Sequence, residues 1–471
     1  MIDIRRLLMF FFIVLFLFSC KKSPTESDPV TVTFPDANLE TVIREAIDKP
    51  TGDILDTDLI RIVMLDGENR EIADLTGIEN CTNLDTLLLS SNDIIDITSV
   101  SSLPNLIALD LRWNDIENIN PLAILTRLTQ LKLRANNISD ISALSGLTAL
   151  NELEVGSNEV SDISAVSGLT MLTILGLSSN NIIDIGALSG LTALTELGVS
   201  SNNISNINPI SSLTNLTILY LGSNKFSSIN AIAPLTKLKY LYLGGQRDLK
   251  DISVLSGLTD LEQLHISYTA ITDLSPIAGL TKLFHIDAYL SAIEDISPLS
   301  GLVNLRNLYA SYCNISDITP LSGLINLERL NLPGNMVTDI TPLSGLSKLK
   351  TLDLERNTVS NIQPLVGLVN LEIIYLTYNP ISDFTPLSGL VNLYRVILNY
   401  NQLTDITFLQ NLVNLSYLKM QNNDIVDIKT LVDNTGIDTG DNIYLENNPL
   451  SDTSKNTYIP QLEARGVTVH Q

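Results

Sequence analysis

Apolar and polar positions along this chain return in one fixed order. Three stretches illustrate it: LDTLLLSSNDIIDITSVSSLPN, LTQLKLRANNISDISALSGLTA and LERLNLPGNMVTDITPLSGLSK. In each, leucines alternate with polar residues at period two, which predicts a short strand with one buried face. An Asn follows the strand and serves as a marker for the register. Beyond it the reading I-x-D-I-[ST]-P-L predicts a short helical turn, with Ser or Thr as its cap and Pro at its first position. No such unit can bury its apolar edge alone, so the units must stack into a solenoid with parallel strands on its concave side. At ~4.8 Å per strand, sixteen strands would trace an arc of about 75 Å.

The marker recurs at Asn92, Asn114, Asn136, Asn158, Asn180, Asn202 and Asn224, and again at Asn335, Asn357, Asn379, Asn401 and Asn423. Between these two runs the same slot holds Gln246, Thr269, Ser291 and Cys313. That makes sixteen repeats, all spaced by 22 residues except one interval of 23, where a residue is added between Leu243 and Leu249. The added residue is expected to bend the stack or push out a bulge of Gln246, Arg247 and Asp248. The Asn side chain, with donors and an acceptor, is suited to satisfying backbone groups of adjacent turns.

This signature resembles leucine-rich repeats. With VTFPDANLETVIREAIDKPTG before it, the arrangement resembles internalin-type bacterial surface proteins over residues 34–471. The fold implied is an α/β solenoid, a right-handed horseshoe with a parallel sheet on the concave face and short 3-10 or irregular turns on the convex face. Asp36 can cap a helix whose apolar side is Leu39, Val42, Ile43, Ala46 and Ile47, closing the first end of the core. The domain reading is a signal peptide at 1–19, a lipidated cysteine and tether at 20–33 and a helical cap at 34–69. The repeats follow at 70–429, and the last repeat with its cap at 430–471.

The start of the chain changes the picture from fold to address. Arg5 and Arg6 precede an apolar run from Leu7 to Ser19 that is short for a membrane span and is followed by polar residues, the pattern of a cleaved export signal. The closing LFSC resembles the lipobox of bacterial lipoproteins, which implies lipidation at Cys20 and anchoring to the cell envelope. Lys21 resembles the second residue of an outer-membrane-directed lipoprotein where two membranes exist. The internalin resemblance includes no wall-sorting signal or immunoglobulin-like extension after the repeats here, so the lipid is the expected anchor. Cys81 occupies a leucine slot and Cys313 a marker slot, more than ten repeats apart and out of reach of each other.

Charge excludes some partners. The formal net charge is −24, which opposes nucleic acids and anionic membrane surfaces. Much of it comes from a row of twelve Asp: Asp96, Asp140, Asp162, Asp184, Asp251, Asp273, Asp295, Asp317, Asp339, Asp383, Asp405 and Asp427. Such a row invites a calcium reading. Acceptance of nearby turn amides by each Asp explains it without a metal.

The concave positions lie six, four, two and one residues before each marker. In the first six repeats they are mostly bland, as at Ser90, Ser91, Gly156, Ser157, Ser178 and Ser179, with Arg112 and Trp113 as exceptions. From there on they hold Tyr220, Tyr240, Tyr242, Tyr268, Tyr289, Tyr309, Tyr312, Tyr375, Tyr378, Tyr400 and Tyr417, joined by His265, His285 and Asp287. Strand propensity favours Tyr in strands, but it does not explain six consecutive strands without one. Tyrosine gives large contact area, a polar tip and a low entropy cost, the qualities of a binding face. With Arg329, Asp353, Glu355, Arg356, Arg395 and Lys419 interleaved, the face suits a protein partner, and the internalin resemblance implies the same. A glycan stacked on the tyrosines is the alternative. His265, His285 and Asp287 as a zinc site, or Ser267, His265 and Asp287 as a triad, would make a hydrolase. These lack a fourth ligand and an oxyanion hole respectively. No cofactor, metal or enzymatic activity is expected, and the chain is expected to act as a monomer.

Overall fold

The computed structural model describes residues 28–471; the expected export signal at 1–19 and the expected lipidation site Cys20 lie outside them. Nineteen short strands, from Met64–Asp66 to Thr468–His470, pair in parallel, each with the next in sequence. The first strand pairs only with the second and the last only with the one before it, so the sheet is an open arc. Each strand is three residues long because only its middle residue and the leucines either side of the trio face inward. Sixteen short 3-10 helices, from Ile78–Asn80 to Thr407–Asn411, form the opposite side. Between the two layers the repeating Leu, Ile and Val positions are almost fully buried in one continuous core. This is the solenoid architecture that the periodicity predicts.

The marker Asn residues bind the turns together. The side-chain amide of Asn136 donates to the carbonyls of Leu111 and Leu133, at 2.9 and 3.1 Å, while its oxygen accepts from the Ile116 amide at 3.0 Å. Three backbone groups from two consecutive turns are thereby satisfied by one buried side chain. Asn180, Asn202, Asn357 and Asn379 repeat the arrangement. A second row on the flank is built from Asn105, Asn215, Asn304, Asn326, Asn370, Asn392 and Asn414. Each donates to a carbonyl 23 residues earlier.

The convex turns correct the expected cap. Where the turn carries Ser or Thr, as at Thr98, Ser142 and Thr341, it is the first residue of the 3-10 helix, not its cap, and the residue before it is an apolar one with no capping side chain. The capping bond comes from the Asp one position further back: Asp96 accepts from the Thr98 amide at 2.9 Å and Asp140 from Ser142 at 2.8 Å. The short carboxylate reaches an amide two residues on, an Asx turn. Asn118, Asn206 and Asn361 make the same bond where Asp is absent.

The 23-residue interval also differs from the expected bulge. Tyr240, Leu241 and Tyr242 remain in register with Gln263, Leu264 and His265, so the sheet is unbroken. Gln246 does not protrude. It is buried and its amide donates to the Leu221 carbonyl at 2.9 Å, the contact that a marker Asn would make. Only Arg247 and Asp248 are exposed in the turn that Leu249 closes onto Gln246.

At the N-terminal end, the helix Ala37–Ala46 buries Leu39, Val42 and Ile43 over the first turn. Asp36 accepts from the Asn38 and Leu39 amides with one oxygen and from the Ala73 and Asp74 amides with the other, tying the cap to the solenoid. A small antiparallel pair, Thr31–Val32 with Ile54–Leu55, completes the cap.

Candidate functional site

The residue before every marker has a left-handed backbone. In all sixteen repeats φ is positive there, for example 57° at Trp113, 57° at Tyr268, 56° at Tyr312, 55° at Tyr378 and 53° at Tyr400. Glycine, Asn or a small residue suits this conformation; a bulky side chain pays a steric cost in it. Ser91, Ser157, Ser179, Ser201 and Ser223 fill the slot in five repeats with a much smaller side chain. The five aromatic residues at this slot are nevertheless 38% to 56% exposed, so core packing does not account for them. The left-handed slot is invisible to a reading based on which face a residue occupies. The run of Ser, Gly and Asn at it was the available signal.

The candidate aromatic residues fall into two patches. In the first, rings stack along the strands: Tyr220 on Tyr242 at 4.4 Å, Tyr242 on His265 at 4.3 Å, His265 against His285 at 4.7 Å, and His285 against Tyr309 at 5.4 Å between centroids. Along the rim, Tyr289 stands edge-on to both Tyr268 and Tyr312, at 5.1 and 5.9 Å. Tyr240 stands apart from these rings with its hydroxyl 3.4 Å from Glu262. Gly334 follows the rim on the next turn, with φ 66°, and a Cβ there would run into the Tyr312 ring.

The strands Arg329–Asn331 and Thr351–Asp353 bear no aromatic residue and separate this patch from a second. In the second, Tyr378 and Tyr400 stack at 4.2 Å with Arg356 over Tyr378 at 4.4 Å. Arg395 lies 4.4 Å from the Tyr417 ring and 5.8 Å from that of Tyr375. The row continues through Tyr444 to His470, stacked at 4.1 Å. Tyr444 and His470 extend the candidate set. Tyr444 stands four residues before Asn448, so the slot rule carried into the degenerate last turn would have found it.

Electrostatics sharpen the centre of the first patch. His265 is in register with Asp287, its Nδ1 3.6 Å from Oδ2, and the Ser267 hydroxyl donates to Asp287 Oδ1 at 2.6 Å. A triad would need that hydroxyl on the imidazole; here it is spent on the carboxylate. Burial beside His265 lowers His285 to a pKa of about 4, so it is a neutral ring at pH 7. For Asp287, burial pushes upward, and bonds from His265, Ser267 and the Tyr289 amide outweigh it and hold the carboxyl below its usual range. In the gap between patches, burial beside Glu355 raises Asp353 to about 6. Among the described residues no group of three or more His, Cys, Asp or Glu is placed to hold a metal. The convex Asp row is held in its own turns.

Toward the N-terminal end the same face sinks into a hollow of about 390 Å³ floored by Gly156, Gly176 and Gly198 and walled by Arg134, Glu154, Glu196 and Tyr220. Burial near Glu154 and Glu152 raises the Glu196 pKa. Cys81 and Cys313 are buried free thiols, pushed by desolvation to about 12 and about 11. No helix among the described residues is long and apolar enough to cross a membrane.

The family model described as Leucine Rich repeats (2 copies) matches residues 303–347, 325–367 and 347–389, and that described as Leucine rich repeat matches 126–182 and 192–247. No curated protein matches the chain. Among solved structures, the functional domain of InlJ from Listeria monocytogenes is 24% identical over 79% of this chain and 81% of its own, with a TM-score of 0.65. A leucine-rich-repeat protein of Leptospira interrogans is 22% identical over 88% of this chain and 97% of its own, with a TM-score of 0.64; both share the fold. The internalin InlF of Listeria monocytogenes is 31% identical over 77% of this chain and 95% of its own, with a TM-score of 0.57. With that identity along nearly the whole of InlF, and with the Asn-bound 22-residue turns described above, the chain belongs to the internalin-like leucine-rich-repeat proteins of bacteria.

Proposed function

We propose that this protein is a non-catalytic binding protein of the cell envelope that recognises a protein partner through its aromatic concave face. Proteins of this fold typically mediate protein–protein interaction. The observation that carries the reading is the set of Trp113, Tyr268, Tyr312, Tyr378 and Tyr400, exposed at a left-handed slot where smaller residues cost less. Strand propensity offers no reason for them, because the slot is not a strand position. A surface that accepts strain to display large rings is a binding surface in the sense that hot spots are.

The ring arrangement favours protein over glycan. A sugar needs an open aromatic face, whereas Tyr220, Tyr242, His265, Tyr378 and Tyr400 turn their faces to one another. What they offer outward is ring edges and hydroxyls, which suit the mixed polar and apolar surface of a folded partner. Cys20 is proposed as the lipid-bearing residue that holds the chain to the envelope, acting as a monomer.

The test is affinity capture from surface extracts with the full chain and with a variant carrying Tyr268→Ser, Tyr312→Ser, Tyr378→Ser and Tyr400→Ser. Serine is native to this slot in five repeats, so the variant is expected to keep its circular dichroism spectrum. A protein retained by the wild type and reduced at least tenfold by the variant supports the reading; equal capture, or capture of glycan alone, overturns it. In the same preparation Cys20→Ala should move the chain from the membrane pellet to the soluble fraction.

A further inference from the structure

Two cations in the second patch have no counter-ion. Arg395 and Lys419 make no ion pair with any carboxylate among the described residues, in contrast to Arg112 with Asp110, Lys132 with Glu152 and Lys239 with Glu262 on the same sheet. They sit on adjacent strands, where Arg395 is in register with Tyr417 and Lys419 with Tyr444. Arg395 lies between the Tyr375 and Tyr417 rings, and Lys419 lies 5.4 Å from the Tyr417 ring and 4.8 Å from that of Tyr444. The rings hold both cations in place without neutralising them.

One atom makes the arrangement incomplete. Nε of Arg395 is buried and has no hydrogen-bond partner among the described residues. A buried donor without an acceptor is costly and calls for an explanation. The Tyr417 hydroxyl faces the same cations: its hydrogen bond with Lys419, and the nearby charge of Arg395, lower its pKa below the usual tyrosine value. The local chemistry is that of a seat for an anion.

The whole-chain charge narrows the use of this seat. With a formal net charge of −24 the molecule draws basic partners and repels acidic ones at long range. Two cations on such a surface cannot steer an encounter, and beyond roughly 8 Å at physiological salt they are screened. Their effect is confined to contact, where a preformed guanidinium fork beside an ammonium selects a carboxylate by geometry. We propose that Arg395 and Lys419, framed by Tyr375, Tyr417 and Tyr444, seat an Asp or Glu side chain of the partner protein. The inference rests on the protein-binding reading and adds the chemistry that the partner must present.

The probe is a fluorescent acetylated tetraglutamate amide, with the tetraglutamine peptide and a sulfated tetrasaccharide alongside, read by anisotropy on the full chain at about 150 mM salt. Tetraglutamate should bind and tetraglutamine should not. The Arg395→Gln/Lys419→Gln variant should lose at least tenfold in affinity, and Arg395→Lys, which keeps the charge and loses the fork, should fall in between. A melting curve establishes that each variant is folded, and Lys419→Gln alone serves if the double variant is not. Tetraglutamate binding no tighter than tetraglutamine, binding unchanged in the double variant, or binding of the sulfated sugar in place of the peptide overturns the proposal. Tyr268→Ser/Tyr312→Ser lies in the other patch and should leave tetraglutamate affinity unchanged. Failure here with intact tyrosine-dependent capture thus removes the carboxylate seat alone.

Discussion

At the scale of single residues, the left-handed slot is where conformational cost and exposure conflict. Trp113 is the clearest case: it is exposed at φ 57°, and among the described residues no ring or cation stacks on it. Asn is native to the same slot at Asn422 and Asn447. Trp113→Asn should therefore stabilise the fold by about 1 kcal/mol, the order of the left-handed penalty for an ordinary side chain, measured by urea denaturation. A loss of stability would mean that the indole packs usefully after all, and would weaken the argument built on Tyr268 and Tyr312. The rings themselves were legible in the sequence, since spacing from the marker places a side chain on a face. Their strain was not, because periodicity carries no information about φ.

At the scale of the repeat, the marker slot contains its own controls. Asn180 donates to Val155 and Leu177 and accepts from Val160. Ser291, in the same slot, donates to the Ile266 carbonyl and shares a 3.4 Å hydroxyl contact with Thr269, Thr269 donates to that same carbonyl, and Cys313 makes a sulfur contact to the Ala288 carbonyl. Gln246 keeps one of the three bonds and leaves its oxygen buried without a partner. Asn180→Ser should thus cost about 2 kcal/mol, since it leaves a buried amide and a buried carbonyl unmatched, and chemical denaturation would show it. A change below about 0.5 kcal/mol would mean that the turns are held by the leucine core alone. The window from Gln246 to Cys313 is accordingly a stretch of weakened coupling between turns, and it underlies the first aromatic patch. The sequence shows these four departures plainly. It does not show that Gln246 remains in the slot, because a one-residue insertion can be absorbed on either side of a marker and only the strand register decides which.

At the scale of the whole molecule, titration of buried groups makes opposing demands on stability. His285 has a folded pKa of about 4 against 6.5 for the free side chain, so the unfolded chain binds the proton first. Its contribution is complete above pH 6.5 and is lost as pH falls from there toward 4. Asp353 runs the other way: its folded pKa of about 6 exceeds the ordinary 3.8, so the folded state binds the proton first and gains stability as pH falls through 6. Glu196 and Asp441 are shifted upward by burial as well, on the same side as Asp353. Below about pH 4 a different set takes over. Asp96, Asp140, Asp162, Asp251, Asp273, Asp317, Asp339 and Asp383 are all held low by side-chain and backbone bonds within their own turns. Asp36 joins them: burial pushes it upward, but its four amide bonds leave it low. These depressed carboxyls contribute stability above their unfolded pKa and lose it as pH falls through the folded values. The thermal midpoint should therefore change little between pH 7 and 4.5 and then drop steeply, because these eight convex turns and the N-terminal cap weaken together. Asp353→Asn removes the compensating term, and its midpoint should fall steadily between pH 6.5 and 4.5, whereas His285→Asn should become more stable over that interval. Identical pH profiles for both variants and the wild type would show that neither group titrates from a buried state. The two patches would then have to be treated as open, water-facing surfaces.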